Sequence, residues 1–208
     1  MFKFNIKHQE SYSRGELLLR SFFGILYIVI PHGICLMFLG LWGGILRLLT
    51  FFIILFTGKF PENFFKYQVR LQRWVLRMQA RMLNLSDGYP AFGLDATDDK
   101  TELEIPYTEE YSRGLVLLVG LLGQLILIPH IICVWVLLIG LHFVILIAWF
   151  AVLFTGKYPD GMHRYAVNTM RWLYRIMIYL NFMNAKYPPF SGKSDEDLAG
   201  NSGVIDSK

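Results

Sequence analysis

Residues 17–56 and 115–154 form two apolar tracts of 40 residues each, interrupted by no Asp, Glu or Lys and by no Arg except Arg20 and Arg47. A helix crosses the hydrocarbon core of a bilayer with about 20 apolar residues, so each tract has the length of two spans. Composition agrees: of 208 residues, 54% are hydrophobic and 17% charged, against roughly 25% charged in soluble domains. The expected fold is an all-α integral membrane protein. Each tract then needs a reversal near its middle, and both offer the same breaker, Ile30-Pro31-His32 and Ile128-Pro129-His130. Proline has no amide hydrogen to donate and disfavours helix in the residue before it. Turns at Pro31-His32 and Pro129-His130 give four transmembrane helices over 12–30, 33–56, 111–128 and 131–154, arranged as two tandem helical hairpins. A rival reading makes the proline a kink and turns the chain at Leu41-Trp42-Gly43-Gly44. The second tract has no Gly-Gly at the matching place, which favours the first reading.

The tracts belong to a longer repeat. Residues 55–74 (LFTGKFPENFFKYQVRLQRW) recur at 153–172 (LFTGKYPDGMHRYAVNTMRW), 98 positions later. Thr57-Gly58 supplies a helix stop, Lys59 and Lys157 suit a helix C-terminus beside lipid headgroups, and Pro61 and Pro159 suit the first position of a new helix. From residue 64 to 85, Phe64, Tyr67, Leu71, Trp74, Met78, Met82 and Leu85 recur every three or four positions beside a second stripe of Lys66, Arg70, Arg73, Arg77 and Arg81. An apolar face beside a cationic one is the pattern of a helix lying in the membrane interface. Trp74, Tyr67, Trp172 and Tyr165 are its expected anchors. The second copy keeps Arg164, Arg171 and Arg175 of the stripe and is greasier, so it should sit deeper or pack against protein. Ser13 with Glu16 makes a capping box for the first span; Leu115 stands in the glutamate's place in the second copy. Phe2, Phe4 and Ile6, and later Leu103, Ile105 and Tyr107, alternate with polar residues, which suggests short strands pairing opening with closing segments of the repeat. The domain division is 1–94, first membrane repeat; 95–104, acidic solvated linker; 105–190, second membrane repeat; 191–208, disordered tail.

Charge sets the orientation. The Pro-His positions carry no Lys or Arg nearby, whereas the opposite ends carry Lys3, Lys7, Arg14, Lys59, Arg113 and Lys157, so both termini and the linker are expected in the cytoplasm. Met1–His8 has no apolar core followed by small residues, and no cleavable signal peptide is expected. The net charge of +4 sits beside apolar stretches, which points to anionic lipid ahead of nucleic acid.

The phrases Ile128-Pro129-His130, residues 148–159 (AWFAVLFTGKYP), Arg171-Trp172 and Tyr187-Pro188-Pro189-Phe190 resemble an uncharacterised bacterial membrane-protein family catalogued as domain of unknown function 4389. Counterparts in the first copy, with Tyr89-Pro90-Ala91-Phe92 at its close, make two tandem copies that cover the chain except its tail. The resemblance implies a multi-pass protein of the bacterial inner membrane and contributes no reaction.

Chemistry has few footholds. His32 with Cys35 and His130 with Cys133 could converge on a four-ligand zinc-type site; the plainer reading is a turn-lining histidine and a small apolar cysteine in each copy, and no cofactor is expected. Gly58-Lys59 lacks the glycine spacing, the Ser/Thr and the preceding strand of a phosphate loop. Arg20 can snorkel to the headgroups, while Arg47 and His142 could line a polar path. The expected function is a non-enzymatic accessory or scaffold subunit that binds anionic lipid, a membrane-protein partner or a second copy of itself (a homo-oligomer) through its basic helices; the alternative is a small channel or lipid/solute transporter built as an oligomer.

Overall fold

The computed structural model describes residues 1–202 and side chains through Ala199. The residues 203–208 of the expected disordered tail lie outside the described residues. In chain order the elements are β1 (Lys3–Ile6), α1 (Arg14–Gly24), a π-helical segment (Ile25–Val29), α2 (Ile30–Thr57), α3 (Glu62–Met82), β2 (Thr101–Glu104), α4 (Arg113–Ile126), α5 (Ile128–Thr155), α6 (Asp160–Leu180) and α7 (Asp195–Ser202). Two helical stretches are long and apolar enough to cross a membrane: Arg14–Thr57, with mean hydropathy 2.2, and Ile128–Thr155, with 2.9.

The expected hairpin turns are absent from these elements. Helix runs unbroken from Arg14 to Thr57 through Pro31, and in the second copy a single residue, Leu127, separates α4 from α5 with near-helical backbone angles. The chain does not reverse at Leu41–Gly44 either; those residues are helical. The proline's steric and hydrogen-bonding cost is absorbed upstream. In the first copy the helix widens for one turn, with the Ile30 amide reaching back to the Ile25 carbonyl, as π-bulges do. The Tyr27 carbonyl, four residues before Pro31 and out of its reach as a partner, accepts the Tyr89 hydroxyl at 3.2 Å. In the second copy the Tyr187 hydroxyl donates to the Ile126 carbonyl at 3.3 Å.

Each long helical stretch has one buried face and one exposed face. Leu17, Arg20, Gly24, Ile28, His32, Gly43, Leu46, Thr50 and Ile54 are buried, at the spacing of one helix face. Against this face lies α3: Met82 meets Gly24, Trp74 meets His32, the Tyr67 hydroxyl donates to the Leu39 carbonyl, and Gln68 donates to the Gly43 carbonyl. α6 lies on the second stretch in the same way, with Leu180 at Gly123, Trp172 at His130 and the Tyr165 hydroxyl on the Leu137 carbonyl. Beyond α3 and α6 sits an antiparallel pair, β1 against β2, with Phe4 opposite Leu103. The molecule is therefore layered: long helices, then α3 and α6, then the strands and their loops.

The copies interlock. β1 opens the first repeat yet lies on α6 of the second, where Arg171 donates to the Phe4 carbonyl; β2 opens the second repeat yet lies on α3 of the first, where Arg73 donates to the Leu103 carbonyl. The strands thus pair opening segment with opening segment rather than opening with closing. The acidic stretch is not a free linker, because Asp95 pairs with Arg70, Asp98 with Arg81, and Thr101–Glu104 is strand. The tail begins ordered: Ser191 and Lys193 carbonyls and Asp195 hold Arg175, and α7 follows. The capping box is half built. The Ser13 and Ser112 hydroxyls accept the amides of Glu16 and Leu115, but the Glu16 carboxylate turns to Arg20 and the Gly88 amide, and the Ser13 amide takes Asp87 instead.

Gly58 and Gly156 close α2 and α5 in the left-handed region, with φ of 75° and 71°, and their carbonyls accept the Tyr111 and Tyr12 amides that start the other copy. Gly58→Ala and Gly156→Ala are each expected to cost about 1–2 kcal/mol, read as a lower Tm in detergent. Gly33→Ala, in regular helix with open space at its Cβ, should be neutral or stabilising.

Candidate membrane face and histidine clasps

The repeated phrases of the two copies converge on one cluster in each. His32 is fully buried, and its Nδ1 accepts the Trp74 indole N–H at 2.7 Å; His130, also fully buried, accepts Trp172 at 3.0 Å. An acceptor Nδ1 places the proton of the neutral ring on Nε2, and that nitrogen has no hydrogen-bond partner in either copy. Aromatic rings of the closing phrase enclose it. Tyr89 and Phe92 lie 5.2 and 4.8 Å from the His32 ring, and Phe190 stacks on His130 at 3.8 Å with Tyr187 at 5.0 Å. Pro-His, Arg-Trp and Tyr-Pro-x-Phe are therefore three parts of one clasp that joins a long helix, the helix above it and the segment that closes the repeat.

The arginine stripe faces inward. Arg77 is buried and donates to the carbonyls of Ala91, Gly93 and Ala96. Arg81 is buried and grips Asp98 with two bonds of 2.7 and 2.8 Å. Arg171 and Arg175 are buried on Phe4, Asn168, Gly192, Ser191, Lys193 and Asp195. Burial alone would raise the Asp98 carboxyl, but hydrogen bonds from Arg81 and Thr101 and the charge of Arg81 outweigh it and hold it below the usual carboxylate range. Exposed members of the set are Lys59, Lys66, Arg73, Lys157 and Arg164, with Arg70 half-buried; Lys59 pairs with Glu109 and Lys66 with Glu62. Trp74 and Trp172 are buried, and Tyr67 and Tyr165 are spent on helix carbonyls, so the four expected interfacial anchors all serve internal contacts.

What faces outward is the far side of the long helices. Phe22, Ile34, Leu41 and Phe52 in the first copy, and Leu121 and Phe143 in the second, belong to exposed apolar stripes that run the length of each stretch. No Asp, Glu, Lys or Arg lies between Arg113 and Lys157. Soluble monomers rarely expose contiguous apolar patches above a few hundred Å². Four cations mark the ends of the stripes. Arg14 donates to the Phe154 carbonyl beside Lys157, and Arg113 lies against Gly58 beside Lys59.

The remaining candidates separate. Cys35 is half-buried and Cys133 exposed, and among the described residues no three of His, Cys, Asp or Glu gather as a metal set. Arg47 donates twice to the Leu180 carbonyl and covers the Phe182 ring at 5.4 Å, which joins α2 to the end of α6. His142 is exposed and bonds the Leu138 carbonyl of its own helix. A histidine pair not expected from sequence lies between β1 and α6: the His8 and His163 rings are 4.7 Å apart, His8 Nε2 bonds the Tyr158 carbonyl at 2.8 Å, and His163 is buried.

The profile of the family described as Domain of unknown function (DUF4389) matches residues 14–93 and 122–192. No curated protein matches the chain, and no solved structure does.

Trp74→Phe strands a buried acceptor and should cost about 1–3 kcal/mol; the double variant with His32→Leu should cost less than the sum of the single changes, as thermal melts would read. Burial, with His8 adding to it, holds the His163 imidazole down at about 4. The unfolded chain takes up that proton first, near 6.5, so stability falls as pH drops from about 6.5 to about 4 and is flat above that window. The loss is on the order of 3 kcal/mol, and His163→Leu should flatten the pH profile of Tm there.

Proposed function

The chain belongs to the DUF4389 family, whose description assigns no activity, and from that premise we propose that it is a non-enzymatic membrane-bound scaffold of the bacterial inner membrane. Its long helices hold it in the bilayer, and its layer of strands, loops and exposed cations faces the cytoplasm. The observation that carries this reading is the continuous exposed apolar face, backed by a layer whose buried arginines are already committed to carbonyls and carboxylates of the same chain. Such a protein binds and positions; its polar groups are arranged to hold its own loops.

Anionic phospholipid is the expected lipid partner, through Arg14, Lys59, Arg113 and Lys157 at the stripe ends. A membrane-protein partner on the cytoplasmic side would meet Arg164, together with the solvent-exposed parts of Lys66 and Arg73, whose charged ends also hold Glu62 and the Leu103 carbonyl. A basic residue near an anionic surface contributes about 1 kcal/mol. Lys59→Gln with Lys157→Gln should therefore reduce retention of anionic phospholipid in mild detergent about thirtyfold relative to zwitterionic lipid, as native mass spectrometry would read. Reconstituted protein should carry no solute flux. Flux that disappears on changing Arg47 or His142 would favour a channel or transporter and end the scaffold reading.

A further inference from the structure

We infer that the protein is monotopic: both long helical stretches lie in the plane of the membrane, within one leaflet, with their exposed apolar faces in the acyl chains. This rests on the membrane reading above and concerns how the chain is held there. The occupant of the apolar face is a phospholipid leaflet.

The argument is one of position along the helix. In a protein that crosses a bilayer, charged layers sit at the ends of its helices. Here they lie alongside. α3 touches the first stretch at Gly24 (through Met82), His32 (Trp74), Leu39 (Tyr67) and Gly43 (Gln68). Gly24 to Gly43 is a rise of about 30 Å, the thickness of the whole hydrocarbon core. Were that stretch upright in a bilayer, α3 would stand upright beside it. It would bring into hydrocarbon Arg70 with Asp95, Arg81 with Asp98, and the solvent-exposed Lys3–Glu104 pair of the strands packed against it. Such charges in the membrane interior are expensive and are confined to bundle interiors or water-filled paths. The second stretch repeats the constraint, with α6 at Gly123, His130 and Leu137 and Arg175 paired to Asp195 above it.

Two further observations agree with a flat arrangement. The residues that meet α3 and the exposed apolar residues of the first stretch occupy opposite sides of the same helix, so the outward apolar surface of that helix points away from the charged layer. The two stretches touch near their ends, with Arg14 at Phe154 and Ser21 at Trp149 on one side and Phe51 at Gly120 and Arg113 at Gly58 on the other. The snorkelling cations Arg14, Lys157, Lys59 and Arg113 fall at those two junctions, where each chain leaves the apolar layer.

The test uses the full chain with Cys35→Ser and Cys133→Ser, reconstituted in vesicles that contain anionic phospholipid. Single cysteines at Leu26, Ile34, Leu41, Leu48 and Phe52 carry a nitroxide, and collision with oxygen and with a nickel chelate reads its depth. The same shallow depth at all five positions, about 5–10 Å below the phosphates, is the expected result. A depth that runs through a bilayer midpoint and out to the far headgroups overturns the proposal. Gly33→Cys, where a side chain meets open space, is the second arm: a membrane-impermeant maleimide on the face opposite the termini should leave it unlabelled, and labelling from that face overturns the proposal. Flotation separates the two readings. A chain that fails to float with the vesicles removes the membrane reading as well, whereas one that floats with a depth gradient removes the in-plane placement alone. Low oxygen access at every stripe position together with a dimer mass would assign the face to a second copy and also overturn the proposal.

Discussion

The bond from the Trp74 indole to the His32 imidazole, repeated by Trp172 and His130, decides the shape of this molecule. It ties the middle of an amphipathic helix to the middle of a much longer apolar one, so α3 and α6 lie along the long helices rather than beyond their ends. A neutral imidazole that accepts at Nδ1 must present a proton at Nε2, and the structure surrounds that proton with the rings of Tyr89 and Phe92, or Tyr187 and Phe190. The closing phrase is thereby recruited, and its tyrosine hydroxyl in turn serves a carbonyl just upstream of the proline. Proline, histidine, tryptophan and tyrosine are distant in sequence and solve each other's unsatisfied groups in space.

Once α3 and α6 are fixed, the arginines have one place to go. Their guanidinium groups project toward the strand layer, where Arg171 and Arg175 cover the Phe4 and Phe2 rings and Arg77 and Arg175 collect backbone carbonyls of the closing segments. Arg73 and Arg171 reach furthest, each to a strand that belongs to the other repeat by sequence. Duplication therefore yields a single interlocked body. Gly58 and Gly156 complete it by offering carbonyls to the opposite copy from a backbone conformation that other residues adopt at a cost.

Much of this was legible in the sequence. The 98-residue repeat, the helix stop at Thr57-Gly58, the restart after Pro61 and the amphipathic period of α3 all appear where the residues place them. Three things did not. Pro31 reads as a turn because local rules count the amide it lacks, while its compensation comes from Tyr89, 58 positions on in the chain, and from a π-bulge. The arginine stripe reads as a lipid-binding face because periodicity reports that a side chain is on a face and not what covers that face; Asp98 and the 91–96 carbonyls cover it. The alternating opening segments read as strands that pair within a repeat, and interlocking between repeats has no local signature.

One signal in the tracts does distinguish a continuous one-faced helix from two spans. Arg20, Gly24, His32, Gly43 and Thr50 are the small or polar residues of the first tract that the structure buries. They fall on a single helix face whose phase carries through Pro31. A true reversal at residue 31 would free the second half from the phase of the first, since each span would choose its own packing partner. In the second tract Gly123, His130 and Ala148 keep one face in the same way across Leu127. Mean hydropathy averages over all faces and registers only that such a helix is apolar; the phase of its exceptions says which side is covered by the rest of the chain, and here that side is continuous from one end of the tract to the other.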